Sequence, residues 1–291
     1  MNLGDGASSV GTPVALVSAK GAPGVTASAL LLTVLLPGTV LVEADPAGGD
    51  LRCALTDPVT APLRADLGLV SLLAAHRTAS GPADRGLLAH AQALPGGLPL
   101  LVGPGSPAQA DALTPSWPQL AATVRAHPGL VLLDLGRLPH SASWQLVDAS
   151  VMTIVVTRPD VPAVAHTRDL LAGLRTRRAR VGLLVIGSER EQHEVTAAVT
   201  GPGVSVGSGV GAGSAPLWVG RLPHDPEAAG QLLAGHWGRR LDRSPLLAAG
   251  RRVARDLHDT LLAARTVTPG SIATLPYPAE PAEAWGAEVR S

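Results

Sequence analysis

The sequence VALVSAKGAPGVTAS, from Val14 to Ser28, contains the pattern from which the rest of this 291-residue chain can be interpreted. Its first residues, 14–18, form a short apolar run that predicts a buried strand. A glycine-bearing turn occupies 19–24, and the residues from Val25 to about Leu36 predict a helix. In such an arrangement, backbone N–H groups and the positive end of the helix dipole meet an anion at the turn. The stretch therefore predicts a phosphate-binding turn.

Lys20 lies inside this turn and is the only lysine among the 23 Lys and Arg residues of the chain. Because every other basic residue of the chain apart from histidine is arginine, the presence of lysine here suggests that this position needs an ammonium group. Lysine is a compact point charge suited to phosphate oxygens, and arginine is not its equivalent. A plain strand-to-helix connection with a fortuitous lysine is the alternative, which the turn alone does not exclude.

The run KGAPGVT, residues 20–26, resembles the deviant Walker A motif KGGxGK[ST] of MinD/ParA-type P-loop ATPases. Lys20 falls on the signature lysine of that motif, and Thr26 falls on its magnesium-binding hydroxyl. Ala22 and Val25 depart from this motif, and Ala19 replaces the glycine that usually precedes the signature lysine. Val25 replaces the ordinary P-loop lysine, which removes a charge-assisted contact to the β- and γ-phosphates. The resemblance implies a nucleotide site formed by Lys20, Gly21, Ala22, Gly24, Val25, Thr26 and Ala27.

A second apolar run, 39–44, predicts a strand that leads directly into Asp45. Open α/β sheets bind ligands at the carboxyl ends of their strands, so Asp45 is a candidate site residue. A turn-starting aspartate is the structural alternative. The run EADPAGGDL, 43–51, resembles the switch I stretch of the same ATPases, with Glu43 in place of its first aspartate. The resemblance implies that Asp45 orients or activates the attacking water and that Lys20 is the second catalytic residue.

Asp134 closes a third apolar run, Leu130 to Leu133. An apolar strand that ends in aspartate is common in α/β proteins, so this signal is weak by itself. It resembles the Walker B motif of the family, whose carboxylate reaches Mg²⁺, usually through water. The cofactors implied by the resemblance are ATP and Mg²⁺. The implied metal ligands, direct or through water, are Thr26, Asp45 and Asp134.

Helix and strand patterns alternate along the rest of the chain. Residues 92–102 predict a turn, marked by Pro95, Gly96 and Gly97, followed by a strand, and further strands are predicted over 150–157, 180–187 and 217–222. Helices are predicted over 66–77 with Asp66 as N-cap, 107–125 with breaks near Pro115 and Pro118, 161–175, 189–199, and 244–265 with Ser244 as N-cap. This alternation predicts an α/β fold, a doubly wound, mostly parallel sheet with helices on both faces, as in P-loop NTPases. We expect the strand after Thr12 to be central, because its continuous apolar run suits burial on both faces.

The predicted organisation is a disordered leader (1–12), one MinD/ParA-like P-loop domain (13–265) and a Pro-rich acidic tail (266–291) that is expected to be disordered. The run RLPHDPEAA around Pro223 resembles the family's stretch near the nucleotide base. Pro223 is therefore a further implied nucleotide-binding residue. Gly187 stands where the family often has an asparagine that reads adenine, so the choice between adenine and guanine stays open.

Composition argues against several function classes. The formal net charge is zero and the sequence pI is near 7.1, so no global basic field favours nucleic acid or an anionic membrane. Cys53 is the single cysteine, which excludes a disulfide framework, and the nine histidines show no zinc-binding spacing. No signal peptide and no run of about 18 apolar residues occurs, so we expect a cytoplasmic protein. Whether the arginines of 175–180 or the helix of 244–265 bind DNA or a membrane stays open, although helix-end charge and core packing explain both.

Three functions remain open. The resemblance implies a MinD/ParA-like nucleotide switch with weak or slow ATPase activity, acting in cell division, chromosome or DNA partitioning, or positioning of a surface machine. Its implied partners are a second copy of the chain, in a nucleotide-dependent homodimer, and an unidentified protein; nucleic acid is weakly supported and peripheral membrane contact is not favoured. The second function is a degenerate, non-hydrolysing scaffold of the same fold that binds protein partners. The third is a P-loop kinase or synthetase, for which the sequence shows no identifiable substrate-binding set.

Overall fold

A computed structural model of the chain describes residues 11–21, 24–55, 62–78, 86–138, 143–177, 179–201 and 216–266. Residues 1–10 of the leader, Ala22 and the tail from 267 to 291 lie outside the described residues, so the expectations for them stay predictions. No helix in the described ranges is long and apolar enough to cross a membrane.

Eight strands form one sheet in the described part of the chain. They are β1 (Thr12–Ser18), β2 (Val40–Glu43), β3 (Gln92–Ala93), β4 (Pro99–Leu101), β5 (Leu130–Arg137), β6 (Met152–Thr157), β7 (Val181–Ile186) and β8 (Trp218–Leu222). Their spatial order is β3-β4-β2-β5-β1-β6-β7-β8. All neighbours are parallel except β3 and β4, which pair antiparallel. The predicted doubly wound, mostly parallel α/β sheet is confirmed.

Helices cover both faces of the sheet. They are α1 (Val25–Leu35), α2 (Leu51–Ala54), α3 (Leu69–Arg77), α4 (Pro107–Leu113), α5 (Trp117–Ala126), α6 (Ser143–Ala149), α7 (Val161–Thr176), α8 (Glu189–Thr200), α9 (Pro226–Leu233), α10 (Arg239–Asp242) and α11 (Pro245–Thr266). Helices α1, α9, α10 and α11 contribute to the apolar core on one face. Helices α3 and α5 to α8 contribute to a second core on the other face.

Strand β1 is central, as predicted. It lies between β5 and β6, and all seven of its residues are buried. Val14 and Leu16 belong to the core on the α1 side, whereas Ala15 and Val17 belong to the core on the opposite side. Successive side chains of a strand point to opposite faces, so burial on both faces requires an apolar residue at every position. The continuous apolar run of β1 meets that requirement.

The start of helix α3 differs from the prediction. Asp66 is not the N-cap, because the helix begins at Leu69 after Gly68. Asp66 instead forms an exposed ion pair with Arg64, with 2.6 Å between Nη2 and Oδ2. The Leu69 amide donates to the Val102 carbonyl at 2.9 Å, so a contact with the end of β4 fixes where this helix starts.

Two further boundaries are corrected. Strand β5 does not end at Asp134 but continues to Arg137, because β1 extends far enough to pair Ser18 with Arg137. The domain also starts earlier than residue 13, since the Gly11 amide donates to the Arg125 carbonyl at 2.8 Å. The other predicted cap is confirmed, because the Leu247 amide donates to the Ser244 hydroxyl at 3.1 Å.

Two helical glycines provide a test of the packing between α1 and α11. A Cβ on Gly250 would lie 2.8 Å from Leu35 Cδ1 and 2.9 Å from Leu31 Cδ2, whereas a Cβ on Gly173 in α7 would meet nothing within 4 Å. We expect Gly173→Ala to raise the free energy of unfolding by about 0.5–1 kcal/mol through helix propensity. Gly250→Ala should lower it by about 1 kcal/mol, because overpacking outweighs that gain. Urea unfolding of both variants measures this, and equal stabilisation by the two would contradict the described packing.

Candidate functional site

The carboxyl ends of β2, β5 and β1 bring the predicted acidic residues to one edge of the sheet. Asp134 pairs in register with Glu43 on β2 and with Leu16 on β1. Neighbouring parallel strands lie about 4.8 Å apart. Leu16 packs in the α1-side core, so its register partners Asp134 and Glu43 face the same side as α1. The two carboxylates therefore lie side by side beneath the start of that helix.

The turn before α1 has the backbone that an anion site requires. Gly21 and Gly24 have φ of +71° and +79°, a region that glycine adopts without strain. Gly24 occupies the N-cap position, no side chain caps the helix, and its first turn contains no acid. The first helical hydrogen bond runs from the Ser28 amide to the Gly24 carbonyl at 2.9 Å. The preceding amides, 25–27, are the unpaired donors of a helix start and are available to an anion.

The side chains of this turn divide into exposed and buried groups. Lys20 is exposed, and a Cβ on Gly21 would meet no atom within 4 Å, so the turn is open on this side. Val25, by contrast, is 1% exposed and packs in the α1-side core. Its side chain therefore faces away from the open turn, and only its amide can reach a ligand there. Thr26 and Ala27 are partly buried at the helix start.

Asp134 is the least satisfied polar group of the cleft. It is 1% exposed, and its Oδ1 accepts from the Gly136 amide at 3.1 Å. Its Oδ2 is buried and has no hydrogen-bond partner among the described residues. Burial raises the pKa of Asp134 to about 7, opposed by hydrogen bonds from the Thr26 side chain and the Gly136 amide and reinforced by the negative charges of Glu43 and Asp45. A buried carboxylate in this state is suited to a cation.

Glu43, on the neighbouring strand, is satisfied by backbone amides. Its Oε1 accepts from the Leu51 amide at 2.8 Å and its Oε2 from the Gly103 amide at 3.0 Å. Burial raises the pKa of this carboxyl, and the two amides act in the opposite direction. A Cβ on Gly49 would collide with the Glu43 carboxylate, so that loop position needs glycine. Glu43 thus fastens the loop that contains Asp45 to the end of β4.

Asp45 begins this loop and lies against the end of β5. Its Oδ1 accepts from the Ala47 amide at 2.7 Å, which is the turn-starting bond considered as the structural alternative. Its carboxylate also lies directly over Gly136, where φ is +58° and a Cβ would collide with it. The structure therefore brings Thr26, Asp45 and Asp134 together at one cleft.

Pro223 lies at the same edge of the sheet but apart from this cleft. It follows β8, which is three strands from β1, or about 14 Å at the usual strand spacing. Gly187 follows β7, and its amide donates to the Leu222 carbonyl at 2.8 Å. Ile186, the last residue of β7, reaches the turn, since a Cβ on Gly24 would lie 2.9 Å from its Cδ1.

The donor set fits Mg²⁺ better than a zinc-type metal. No group of three His, Cys, Asp or Glu side chains placed to hold a metal occurs in the described ranges. Mg²⁺ commonly uses one or two carboxylates and takes its other ligands from water and phosphate. The unpartnered Oδ2 of Asp134 beside the Thr26 hydroxyl is such a partial site.

Comparisons with known proteins show the fold. No protein-family model matches the sequence, and no curated protein matches it. The crystal structure of a ParA family ATPase from Chlorobium tepidum is similar with a TM-score of 0.66 at 16% identity, covering 86% of this chain and 100% of that one. The septum site-determining protein MinD from Pyrococcus horikoshii, solved with Mg-ADP, gives 0.64 at 16% identity, covering 87% and 98%. The MinC:MinD cell division complex of Aquifex aeolicus gives 0.57 at 14% identity, covering 91% and 99%.

This chain has a MinD/ParA-like fold. The family resemblance is thereby confirmed at the level of the fold. It was based on KGAPGVT, EADPAGGDL and the strand before Asp134. The MinD/ParA-like sheet places all three stretches at one edge, in the order turn, acid, acid along the chain.

Sequence reasoning missed two features of the site. The amide contacts of Glu43 were not foreseen, because they depend on loops from two distant parts of the chain. Arg137 and Arg158, at the ends of β5 and β6, were not considered. Their position directly after predicted strands was a signal that could have identified them.

The raised pKa of Asp134 predicts a pH dependence of stability. Between its ordinary value of 3.8 and about 7, the folded protein keeps a proton that the unfolded chain has lost. The free energy of unfolding should therefore fall as pH rises from 5 to 7, by up to about 1.4 kcal/mol per pH unit from this group. In EDTA, Asp134→Asn should show a shallower fall than wild type, whereas Asp169→Asn, at an exposed site on α7, should not. Urea unfolding across this range measures it, and identical slopes for wild type and Asp134→Asn would contradict the described burial.

Proposed function

We propose that this protein is a MinD/ParA-like nucleotide switch that binds Mg-ATP at the turn before α1 and hydrolyses it slowly. The observation that supports it most is the buried, unpartnered Oδ2 of Asp134 at that turn. An orphaned buried oxygen is costly unless a ligand completes it. Thr26 and the open amides of 25–27 adjoin it, so one ligand with both a cation and phosphates satisfies the whole group.

The proposed roles follow from these contacts. The amides of 25–27 bind phosphate oxygens, aided by the helix dipole. Thr26 and Asp134 hold Mg²⁺, with Asp45 reaching it directly or through water. Bound Mg²⁺ supplies neutralisation of the phosphate charge. Asp45 orients the attacking water, a role supported by its position over Gly136 at the end of β5.

Slow hydrolysis follows from Val25. A lysine at this position would stabilise the charge that develops on the transferred phosphoryl group. The valine is buried in the core and supplies no charge. A switch needs two long-lived states rather than fast turnover, so a weak ATPase is compatible with that role. We infer that the protein acts in spatial organisation, by likeness to the MinD cell division proteins among its structural neighbours.

Lys20 has a proposed role in dimerisation. It is exposed at the open side of the turn and makes no ion pair with a described residue. In the family that the fold resembles, the signature lysine reaches the nucleotide of a second subunit. We propose the same here, so that two chains with bound ATP form a dimer and Lys20 acts on the partner's nucleotide.

Sedimentation velocity tests this function. Wild type should be a monomer without nucleotide and a dimer with Mg-ATP. Lys20→Ala should remain a monomer in both, with a free energy of unfolding within about 0.5 kcal/mol of wild type, because the side chain is exposed. Arg252→Ala, an exposed cation on α11, should dimerise like wild type. The absence of an ATP-dependent dimer in wild type would contradict the switch and favour a non-hydrolysing scaffold of the same fold.

A further inference from the structure

Three exposed cations stand at the ends of three adjacent central strands. Lys20 follows β1, Arg137 ends β5 and Arg158 follows β6. All three residues are exposed. The two arginines have no part in the motifs that indicated the nucleotide site, so their common position needs an explanation of its own.

Strand register places the two arginines on the strand ends that flank β1. Ser18 pairs with Arg137, and the Leu138 amide donates to the Ser18 carbonyl at 2.8 Å. Arg137 is therefore level with β1 just before the turn. On the other side, Val17 pairs with Val155, and Lys20 and Arg158 each follow that pair by three residues. With strands about 4.8 Å apart, one arginine flanks each side of the turn.

The two arginine side chains are free to bind a ligand as far as the described residues are concerned. Neither Arg137 nor Arg158 makes a side-chain hydrogen bond or an ion pair with any described residue. Other exposed arginines do pair with acids, as Arg177 does with Asp148 at 2.7 Å. Among the acids of the cleft, Glu43 ends β2 and Asp45 follows it, whereas Asp134 is on β5, beside β1. The three acids thus lie at the ends of β2 and β5, and Arg158 lies on the opposite side of the turn, after β6.

We propose that Arg137 and Arg158 bind the polyphosphate of the nucleotide and replace, within the same chain, the charge that Val25 lacks. The inference rests on the proposed function and specifies how its site holds a triphosphate. Arginine presents a planar fork of N–H donors that binds phosphate oxygens two at a time. Two such groups beside the turn supply more positive charge than a single lysine at the buried position 25. The acids of the cleft, with the unpartnered Oδ2 of Asp134, are left for the metal.

Isothermal calorimetry of the full chain tests this assignment, with Mg-ATP and inorganic tripolyphosphate with Mg²⁺ as probes. We expect Arg137→Ala and Arg158→Ala each to lower the affinity for both probes about tenfold, which is the effect of one charge-assisted contact. The double variant should bind both probes about a hundredfold more weakly than wild type. Arg137→Lys should recover part of the loss, because the charge returns without the fork. Arg252→Ala is the matched control and should bind both probes like wild type. Thermal unfolding of each variant confirms that the fold is kept.

The outcomes separate the two proposals. If wild type binds neither probe, both the proposed function and this inference are overturned. If wild type binds Mg-ATP and the two alanine variants bind it within twofold of wild type, the nucleotide site stands and the arginine assignment is overturned. If the variants bind Mg-ATP more weakly but bind tripolyphosphate like wild type, the arginines contact another part of the nucleotide, and the assignment to phosphate is also overturned.

Discussion

Two carboxylates, those of Glu43 and Asp134, are buried side by side on neighbouring parallel strands, and the cleft is arranged around the need to stabilise them. A buried charge without partners is expensive. Glu43 is stabilised within the chain by the amides of Leu51 and Gly103, and in return it holds the loop of Asp45 in place. Asp134 has no equivalent set, and one of its oxygens lacks a partner in the described structure. The chain therefore satisfies the first carboxylate by itself and leaves one oxygen of the second without a partner in the described structure.

The remaining parts of the cleft agree with that division. Helix α1 begins without a capping side chain and without an acid in its first turn, so its free amides and dipole attract anions. The acids of the cleft lie at the ends of β2 and β5, and cations without an ion-pair partner among the described residues stand at the ends of β5, β1 and β6. A metal–polyphosphate pair has the matching polarity, with its cation toward the acids and its anions toward the amides. Val25 is buried and adds no positive charge to the turn.

Much of the fold was predictable from sequence because the signals were local. The apolar run 14–17 required a central strand, and Ser244 was a recognisable helix cap. Predictions failed where a distant part of the chain decides the outcome. Asp66 does not cap the helix because the helix starts where the Leu69 amide bonds to Val102. Strand β5 continues past Asp134 because Ser18 pairs with Arg137. The same holds for the site, whose turn and acids were foreseen while the Glu43 contacts and the two arginines were not.

The central claim is that one ligand occupies the turn, the Asp45 loop and the end of β5 together. Hydrogen exchange of the backbone amides, with and without Mg-ATP and at single-residue resolution, tests it most directly. The account predicts slowed exchange at the amides of 25–27, which have no helical partner, together with slowed exchange in 45–51 and 134–138. Unchanged exchange at 25–27 in the presence of saturating Mg-ATP, or slowing confined to segments away from this edge of the sheet, would contradict it.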